Sequence, residues 1–158
     1  MKVEDVMTED VQFCTPETNL AAAAMQMWDH DCGTLPVVSE DGTAIGMITD
    51  RDICIAAATR HRDIAEIKVG ELASGELHSC TPNTRLDEAL KIFQQARVRR
   101  LPVLNNDGKL EGILSLNDIV LLGREEFEKK VPDVSYADVV NTLRAIGAPY
   151  GRAAAAGV

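Results

Sequence analysis

The chain contains two copies of one pattern, 66 residues apart, and this duplication limits what it can fold into. "GMITDRDI" at residues 46–53 returns as "GILSLNDI" at residues 112–119. With that offset, residues 3–53 align with residues 69–119 without a gap. The match includes both turn residues ("DG") and core residues ("LPV"), so chance is a poor explanation. The sequence therefore predicts two similar units packed around a pseudo-two-fold axis, with two equivalent clefts where they meet.

Each repeat predicts the element order β-α-β-β-α. An extended stretch, residues 11–16 or 77–82, ends at Thr-Pro, because the residue before proline avoids helical angles. A helix follows, with Thr18 or Thr84 as its N-cap. Apolar side chains recur on one face of that helix at i, i+4 and i+7. They are Leu20, Ala24 and Met27 in the first repeat and Leu86, Leu90 and Phe93 in the second.

A hairpin and a second helix complete each repeat. "LPVVS" and "LPVLN" predict strands, and "EDG" and "NDG" predict the tight turns that follow them. The second helix begins at Thr49 or Ser115 and, in the first repeat, continues through residue 62. Helical spacing also predicts that Met25, Met27 and Trp28 are core residues.

The predicted fold class is α/β (α+β), with two β-α-β-β-α repeats and a short C-terminal helix. The predicted boundaries are 1–60 for repeat 1, 61–68 for a linker, 69–123 for repeat 2, and 124–158 for a C-terminal helix and tail. "YADVVNTLRAI" at 136–146 is the amphipathic helix, capped by Ser135, and the residues after it are expected to fray.

Composition excludes several classes of partner. A net charge of −9 argues against nucleic acid and against a polybasic membrane patch. No apolar stretch approaches the roughly 18 residues of a membrane span, and the acidic N-terminus does not resemble a signal peptide. The four cysteines show no CxxC spacing, which favours free thiols in a reducing cytoplasm.

The residues between the last strand and last helix of each repeat are candidates for binding chemistry. They are Thr49-Asp50-Arg51-Asp52 in repeat 1 and Ser115-Leu116-Asn117-Asp118 in repeat 2. One interpretation is a capping box, in which hydroxyl and carboxylate satisfy the helix N-terminus. In the other, the helix N-terminus attracts a phosphate while the carboxylate accepts two ribose hydroxyls. Both interpretations can hold at once.

A basic pair precedes the first hairpin strand of repeat 2. Arg99 and Arg100 are expected to face the cleft between the repeats, where guanidinium groups can bind phosphate. The alternative is a solvated basic tip. Repeat 1 has Gly33 and Thr34 at these positions, which leave room for a flat base but supply no charge.

Together, the Thr-Pro, the "LPVV…DG…GxITxxDI" string and the duplication resemble a tandem pair of cystathionine-β-synthase (CBS) domains over residues 3–119. The chain most resembles the small bacterial stand-alone CBS-pair proteins. The resemblance implies a regulatory homodimer, associated through its helices, that binds an adenosyl ligand: AMP, ADP, ATP, NAD or S-adenosylmethionine, with Mg²⁺ possible alongside ATP. It also allows for a separate downstream protein.

The same resemblance implies roles for individual residues. Thr49 and Ser115 would face phosphate or ribose, and Asp52 and Asp118 would hold the ribose diol. The adenine slots would be lined by Thr15, Gly33, Thr34, Leu35 and Pro36 and by Thr81, Val98, Arg99, Arg100, Leu101 and Pro102. Asp50, Arg51 and Asn117 would lie at the same rims, and Arg51, Arg99 and Arg100 would neutralise phosphate. The second copy departs from the first at Leu116 and Asn117, so the clefts are not equivalent.

Three other functions compete with this reading. The chain could be a protein–protein interaction and dimerisation scaffold with vestigial clefts. It could be a nucleotide hydrolase that uses Asp50 and Asp52, although no catalytic triad or Walker loop is evident. It could sense redox state through Cys14 and Cys80, which are expected to be buried. The His30–Cys32 pair is a weak metal signal without a second pair, so no metal site is predicted.

Overall fold

The computed structural model describes residues 1–73, 76–125 and 134–147. Repeat 1 contains α1 (Leu20–Asp29), β1 (Thr34–Val38), β2 (Ala44–Thr49) and α2 (Asp50–Thr59). Repeat 2 contains α3 (Leu86–Ala96), β3 (Arg100–Leu104), β4 (Leu110–Ser115) and α4 (Leu116–Glu125), and α5 (Tyr136–Gly147) follows. The α+β fold class and the duplicated order of helices and hairpins agree with the sequence.

The hairpins form as predicted. β1 pairs antiparallel with β2, and β3 with β4, in the same register: Val37 lies opposite Gly46, and Val103 opposite Gly112. The "DG" turns place Gly42 at φ 86° and Gly108 at φ 75°, the left-handed region that glycine enters without strain.

The first strand predicted in each repeat is wrong. Residues 11–16 and 77–82 contribute only single parallel bridges, from Cys14 to Val37 and from Cys80 to Val103. The extended stretch cannot continue because a turn begins immediately, in which the Thr18 amide donates to the Thr15 carbonyl at 3.1 Å. Proline at the next position also has no N–H to donate to a ladder.

The two repeats exchange their N-terminal segments. The Val3 amide donates to the Thr84 carbonyl at 2.9 Å, so the first residues of repeat 1 lie against repeat 2. The equivalent Val69 amide donates to the Thr18 carbonyl at 2.8 Å, so the start of repeat 2 lies against repeat 1. Val3 and Val69 are fully buried in the core of the other repeat. Each core is therefore completed by the other half of the chain.

The predicted apolar stripes face the core, with Ala24 only partly buried, but two further predicted core residues do not. Leu20, Leu86 and Phe93 are fully buried, and Met27 nearly so. Met25 and Trp28 are not core residues: their exposed fractions are 59% and 83%. They lie three residues apart on one helical face, and that face of α1 turns away from the sheet.

Helix ends differ from the predictions by small shifts. The N-caps of α1 and α3 are Asn19 and Arg85, because Thr18 Oγ1 and Thr84 Oγ1 accept hydrogen bonds from the preceding turns instead. The second helix of repeat 1 ends at Thr59 and does not reach residue 62.

The C-terminal helix forms as expected. Ser135 Oγ accepts the Asp138 amide at 3.2 Å, and Gln94 Nε2 of α3 donates to Thr142 Oγ1 of α5 at 2.8 Å. Of the residues predicted to fray, Gly147 is instead the last residue of α5, and residues 148–158 lie outside the described residues.

Candidate functional site

The helix N-termini that carry the repeated motif form capping boxes. Asp52 N donates to Thr49 Oγ1 at 3.1 Å, and Asp52 Oδ2 accepts from Thr49 N at 3.0 Å and from Thr49 Oγ1 at 2.6 Å. In repeat 2, Asp118 N donates to Ser115 Oγ at 3.1 Å and Asp118 Oδ2 accepts from Ser115 N at 2.7 Å. The structural interpretation of the motif is therefore confirmed.

The capping bonds leave part of each carboxylate free. In both boxes the bonds fall on Oδ2, and among the described residues Oδ1 of Asp52 and Oδ1 of Asp118 accept no hydrogen bond. The cap holds the carboxylate in one orientation, while the second oxygen can still accept from a ligand. The capping and binding interpretations are thus compatible.

One cleft, named the Asp118 cleft, lies between the start of α4 and two segments of repeat 1. Its volume is about 390 Å³. The first segment covers residues 8–12 and the second covers residues 30–34. Its walls are Thr8, Asp10, Val11, Gln12, His30, Asp31, Cys32, Thr34, Arg100, Ile113, Ser115 and Asp118.

The second cleft, named the Asp52 cleft, is the pseudo-symmetric copy of the first. Its volume is about 220 Å³. Shifting by 66 residues pairs most of the walls: Asp10 with Glu76, Val11 with Leu77, Gln12 with His78, Cys32 with Val98, Ile113 with Met47, and Asp118 with Asp52. Gly46, Leu72, Ala73 and Arg100 complete it. The two clefts share a plan but differ in size and in most of their side chains.

A third space, named the central cavity, opens beside both clefts and has a volume of about 580 Å³. It is lined by Ala24, Met27, Trp28, Asp31, Cys32, Gly33, Asp50, Ile53, Arg99 and Arg100. The Asp50 amide donates to the Gly33 carbonyl at 3.1 Å, and a Cβ at residue 33 would lie 3.0 Å from Asp50 Oδ2. A side chain at residue 33 would therefore require the Asp50 carboxylate to shift by a few tenths of an ångström.

Nine of the predicted site residues line these spaces. Thr34, Ser115 and Asp118 line the Asp118 cleft, Asp52 and Val98 line the Asp52 cleft, and Gly33, Asp50 and Arg99 line the central cavity. Arg100 lines all three.

The other predicted site residues lie outside the walls of these three spaces. Thr15 and Thr81 close local turns, since their amides donate to Thr18 Oγ1 and Thr84 Oγ1. Leu35 and Leu101 are fully buried core residues. The rest are Pro36 and Pro102 inside strands, Thr49 in its cap, and Arg51 and Asn117, which are exposed.

Sequence reasoning missed the walls that come from residues 8–12 and 76–78. Nothing in their own sequence points to a site; they reach it only because the N-terminal segments cross to the other repeat. Met47 and Ile113 were also missed, although strand alternation could have found them. They follow buried glycines and precede the core residues Ile48 and Leu114, so the pleat points them to the opposite face.

The buried thiols are poor candidates for redox chemistry. Burial raises the pKa of Cys14 to about 11 and that of Cys80 to about 12, so both are thiols at neutral pH. Within residues 1–73, 76–125 and 134–147, no three His, Cys, Asp or Glu side chains cluster as a metal site. None of the described helices has the length and hydropathy needed to cross a bilayer.

A CBS domain family model matches residues 3–58 and 69–124. The chain belongs to the CBS domain family. The CBS domain-containing protein YhcV of Bacillus subtilis is 34% identical over 139 residues, which cover 87% of this chain and 97% of that protein. Hypoxic response protein 1 of Mycobacterium tuberculosis is 35% identical over 115 residues, covering 73% of this chain and 80% of that protein.

Solved CBS-pair structures share the fold. Hypoxic Response Protein I, solved with two coordinated zinc ions, superposes with a TM-score of 0.70 at 33% identity over 77% of this chain and 98% of that chain. CBSX2 of Arabidopsis thaliana in complex with AMP superposes with a TM-score of 0.69 at 25% identity over 78% of this chain and 96% of that chain. These neighbours confirm that the chain has the fold of a CBS pair.

Proposed function

We propose that this CBS pair is a non-catalytic regulatory module that binds an adenosine-containing ligand in the Asp118 cleft and in the Asp52 cleft. The observation that carries the proposal is the pair of symmetry-related clefts, each with a capped carboxylate whose Oδ1 is free. The AMP complex of CBSX2 supports the choice of ligand class. The four free cysteines fit a reducing compartment such as the cytoplasm.

Asp118 and Asp52 are proposed to accept the ribose hydroxyls. Ser115 and Thr49, at the N-caps of α4 and α2, lie where backbone N–H groups and the helix dipole favour an anion. Val11 and Ile113 in one cleft, and Leu77 and Met47 in the other, offer apolar surface to an adenine ring.

The Asp118 cleft is proposed as the stronger site. Its volume of about 390 Å³ lies within the usual range of small-molecule pockets, roughly 300–1,000 Å³, while the 220 Å³ of the Asp52 cleft lies below it. The Asp118 cleft therefore offers a ligand more room than the Asp52 cleft does.

The test is a thermal-shift screen with AMP, ADP, ATP with and without Mg²⁺, NAD and S-adenosylmethionine. Binding of at least one ligand raises the midpoint by several degrees at saturating concentration. Asp118→Ala removes most of the rise, and Asp52→Ala removes less. Alkylation of Cys32, which lines the Asp118 cleft, slows when the ligand is bound, and alkylation of exposed Cys54 does not. No rise with any of these ligands would favour a scaffold with vestigial clefts.

We further propose that the module forms a homodimer through its helices. α1 and α2 expose Met25, Trp28 and Ile55, and such apolar side chains on neighbouring helices suit burial against a second copy. Met25→Glu with Ile55→Glu converts the dimer to a monomer in light scattering, while Ile45→Glu, on an exposed strand position, leaves it unchanged. Ligand-dependent packing of the repeats or protomers then carries the signal to a separate protein.

A further inference from the structure

Arg100 lies where the two clefts and the central cavity meet. It is the first residue of β3, its Cα partner across the ladder is Ser115, and its side chain lines all three spaces. The residue is exposed, and within the described part of the chain its guanidinium makes no hydrogen bond or ion pair. It is therefore available to a ligand from either cleft.

In repeat 1, the position equivalent to Arg100 has no cation. The equivalent residue is Thr34, which is only 6% exposed, and its Oγ1 donates to the Ile48 carbonyl at 2.9 Å. Among the described residues that line the Asp118 cleft or the Asp52 cleft, Arg100 is the one Arg or Lys. The duplication therefore produced two clefts but left a single guanidinium that lines both of them, while Arg99 lines only the central cavity.

The other charges in the clefts oppose a phosphate. Asp10, Asp31 and Asp118 line one cleft, and Asp52 and Glu76 line the other. A phosphate beside these carboxylates needs a compensating cation, and a guanidinium supplies it best through a bidentate contact with one phosphate at a time.

We propose that Arg100 is a phosphate-binding residue shared by both clefts, so that phosphate-bearing adenosine ligands bind the two clefts with negative cooperativity and adenosine itself binds them independently. This inference rests on the proposed function. The first phosphate to bind takes the guanidinium, and the second ligand then meets unopposed carboxylates and a neighbouring anion. A coupling of about tenfold is expected, within the usual range for linked sites.

Calorimetric titrations with AMP and with adenosine test the proposal on the full chain. Two single-cleft variants are needed: Ile113→Trp to fill the Asp118 cleft and Met47→Trp to fill the Asp52 cleft. Asp118→Ala and Asp52→Ala form a second pair if either tryptophan disturbs folding. The coupling factor is the product of the two single-cleft association constants divided by the product of the two stepwise constants of the unmodified chain. This ratio separates true coupling from a simple difference between the clefts.

The expected factor is about ten or more for AMP and about one for adenosine. Arg100→Thr, which copies the residue of repeat 1, lowers the AMP factor to about one and weakens AMP about tenfold or more while leaving adenosine affinity unchanged. Lys91→Thr, at an exposed basic residue of α3 that lines none of the three spaces, is the control and retains the coupling. An AMP factor of one in the unmodified chain, or a factor that survives Arg100→Thr, overturns the inference while nucleoside binding still supports the proposed function. If neither AMP nor adenosine binds, the inference fails, whereas the proposed function fails only if the other ligands of the thermal-shift screen also leave the midpoint unchanged.

Discussion

Residues 28 and 94 occupy the same place on α1 and α3, yet one is an 83% exposed tryptophan and the other a glutamine bonded to α5. In repeat 2, α5 packs against α3 at this position. In repeat 1, the same position of α1 is exposed to solvent. Inside the repeats, by contrast, the equivalents Met27 and Phe93 are both buried. Core positions stayed apolar after the duplication because each core depends on both halves of the chain, whereas surfaces and clefts diverged.

The largest expected effect comes from the core of repeat 2. Phe93→Ala costs about 3–5 kcal/mol, and Met27→Ala at the equivalent position about 2–5 kcal/mol. Since Val3 and Val69 cross between the cores, the damage spreads to both repeats. Urea unfolding followed by far-UV circular dichroism and by alkylation of Cys14 in repeat 1 shows whether the midpoints move together. A Cys14 midpoint left unchanged by Phe93→Ala would mean that the repeats unfold separately.

The two exchanged N-terminal segments approach the hairpins of the opposite repeats at different distances. A Cβ at residue 112 would lie 2.8 Å from Met7 Sδ and 3.0 Å from the Thr8 carbonyl oxygen, while one at residue 46 would lie 3.3 Å from Ala73. Thr8 is fixed because its amide and carbonyl both bond to Ile113. We expect Gly112→Ala to cost about 1–3 kcal/mol and Gly46→Ala less than about 1 kcal/mol. Chemical denaturation of both variants tests this order. Equal losses of stability would show that the two N-terminal segments contact their hairpins equally closely.

The two capping boxes also differ in one bond. Thr49 Oγ1 donates to Asp52 Oδ2, whereas the described bonds of Ser115 include no such donation. Removing the hydroxyl therefore costs about 1–2 kcal/mol in Thr49→Ala and about 0.5–1 kcal/mol in Ser115→Ala. Thermal unfolding ranks the two variants, with Thr49→Ser and Ser115→Thr as controls that keep the cap. A larger loss of stability in Ser115→Ala than in Thr49→Ala would contradict this difference in hydrogen bonding.

The smallest effect lies at the hairpin tips. Hydrogen bonds from Ser39, Thr43 and Lys109 hold the pKa of Asp41 well below its usual range. Because the folded pKa is depressed, this contribution to stability is present above the unfolded value of about 3.9 and is lost as the pH falls below it. Asp41→Asn should flatten the acid side of the stability profile, and Asp107→Asn, at the equivalent position in the other turn, should not. If both variants showed the same dependence of stability on pH, the hydrogen bonds to Asp41 would not explain the loss of stability in acid.

The features that the sequence predicted are those that depend on local chemistry. The "DG" strings specify turns with positive φ at Gly42 and Gly108, the helix stripe specifies Leu86 and Phe93, and Ser135 specifies a cap. Each follows from residues within one or two turns of chain. The predicted first strands failed because Cys14 and Cys80 each form a single bridge immediately before a turn that contains proline, which composition does not reveal.

The site was harder to predict because it is assembled by exchange between repeats. Asp118 and Asp52 are visible in the repeated motif, but the walls opposite them, such as Asp10 and Glu76, come from segments that cross to the other half. The shared position of Arg100 is a property of the assembled pair, since nothing in "RVRRLPV" tells which cleft a guanidinium faces.

Both helix N-terminal clefts are proposed to bind an adenosine ligand, the Asp118 cleft at the lower concentration. A ¹H–¹⁵N correlation titration with AMP tests this order and the two locations together. The amides of Ser115 to Asp118 should shift at low AMP, and those of Thr49 to Asp52 should shift at higher AMP. Saturating AMP that moves neither group of amides would contradict the claim.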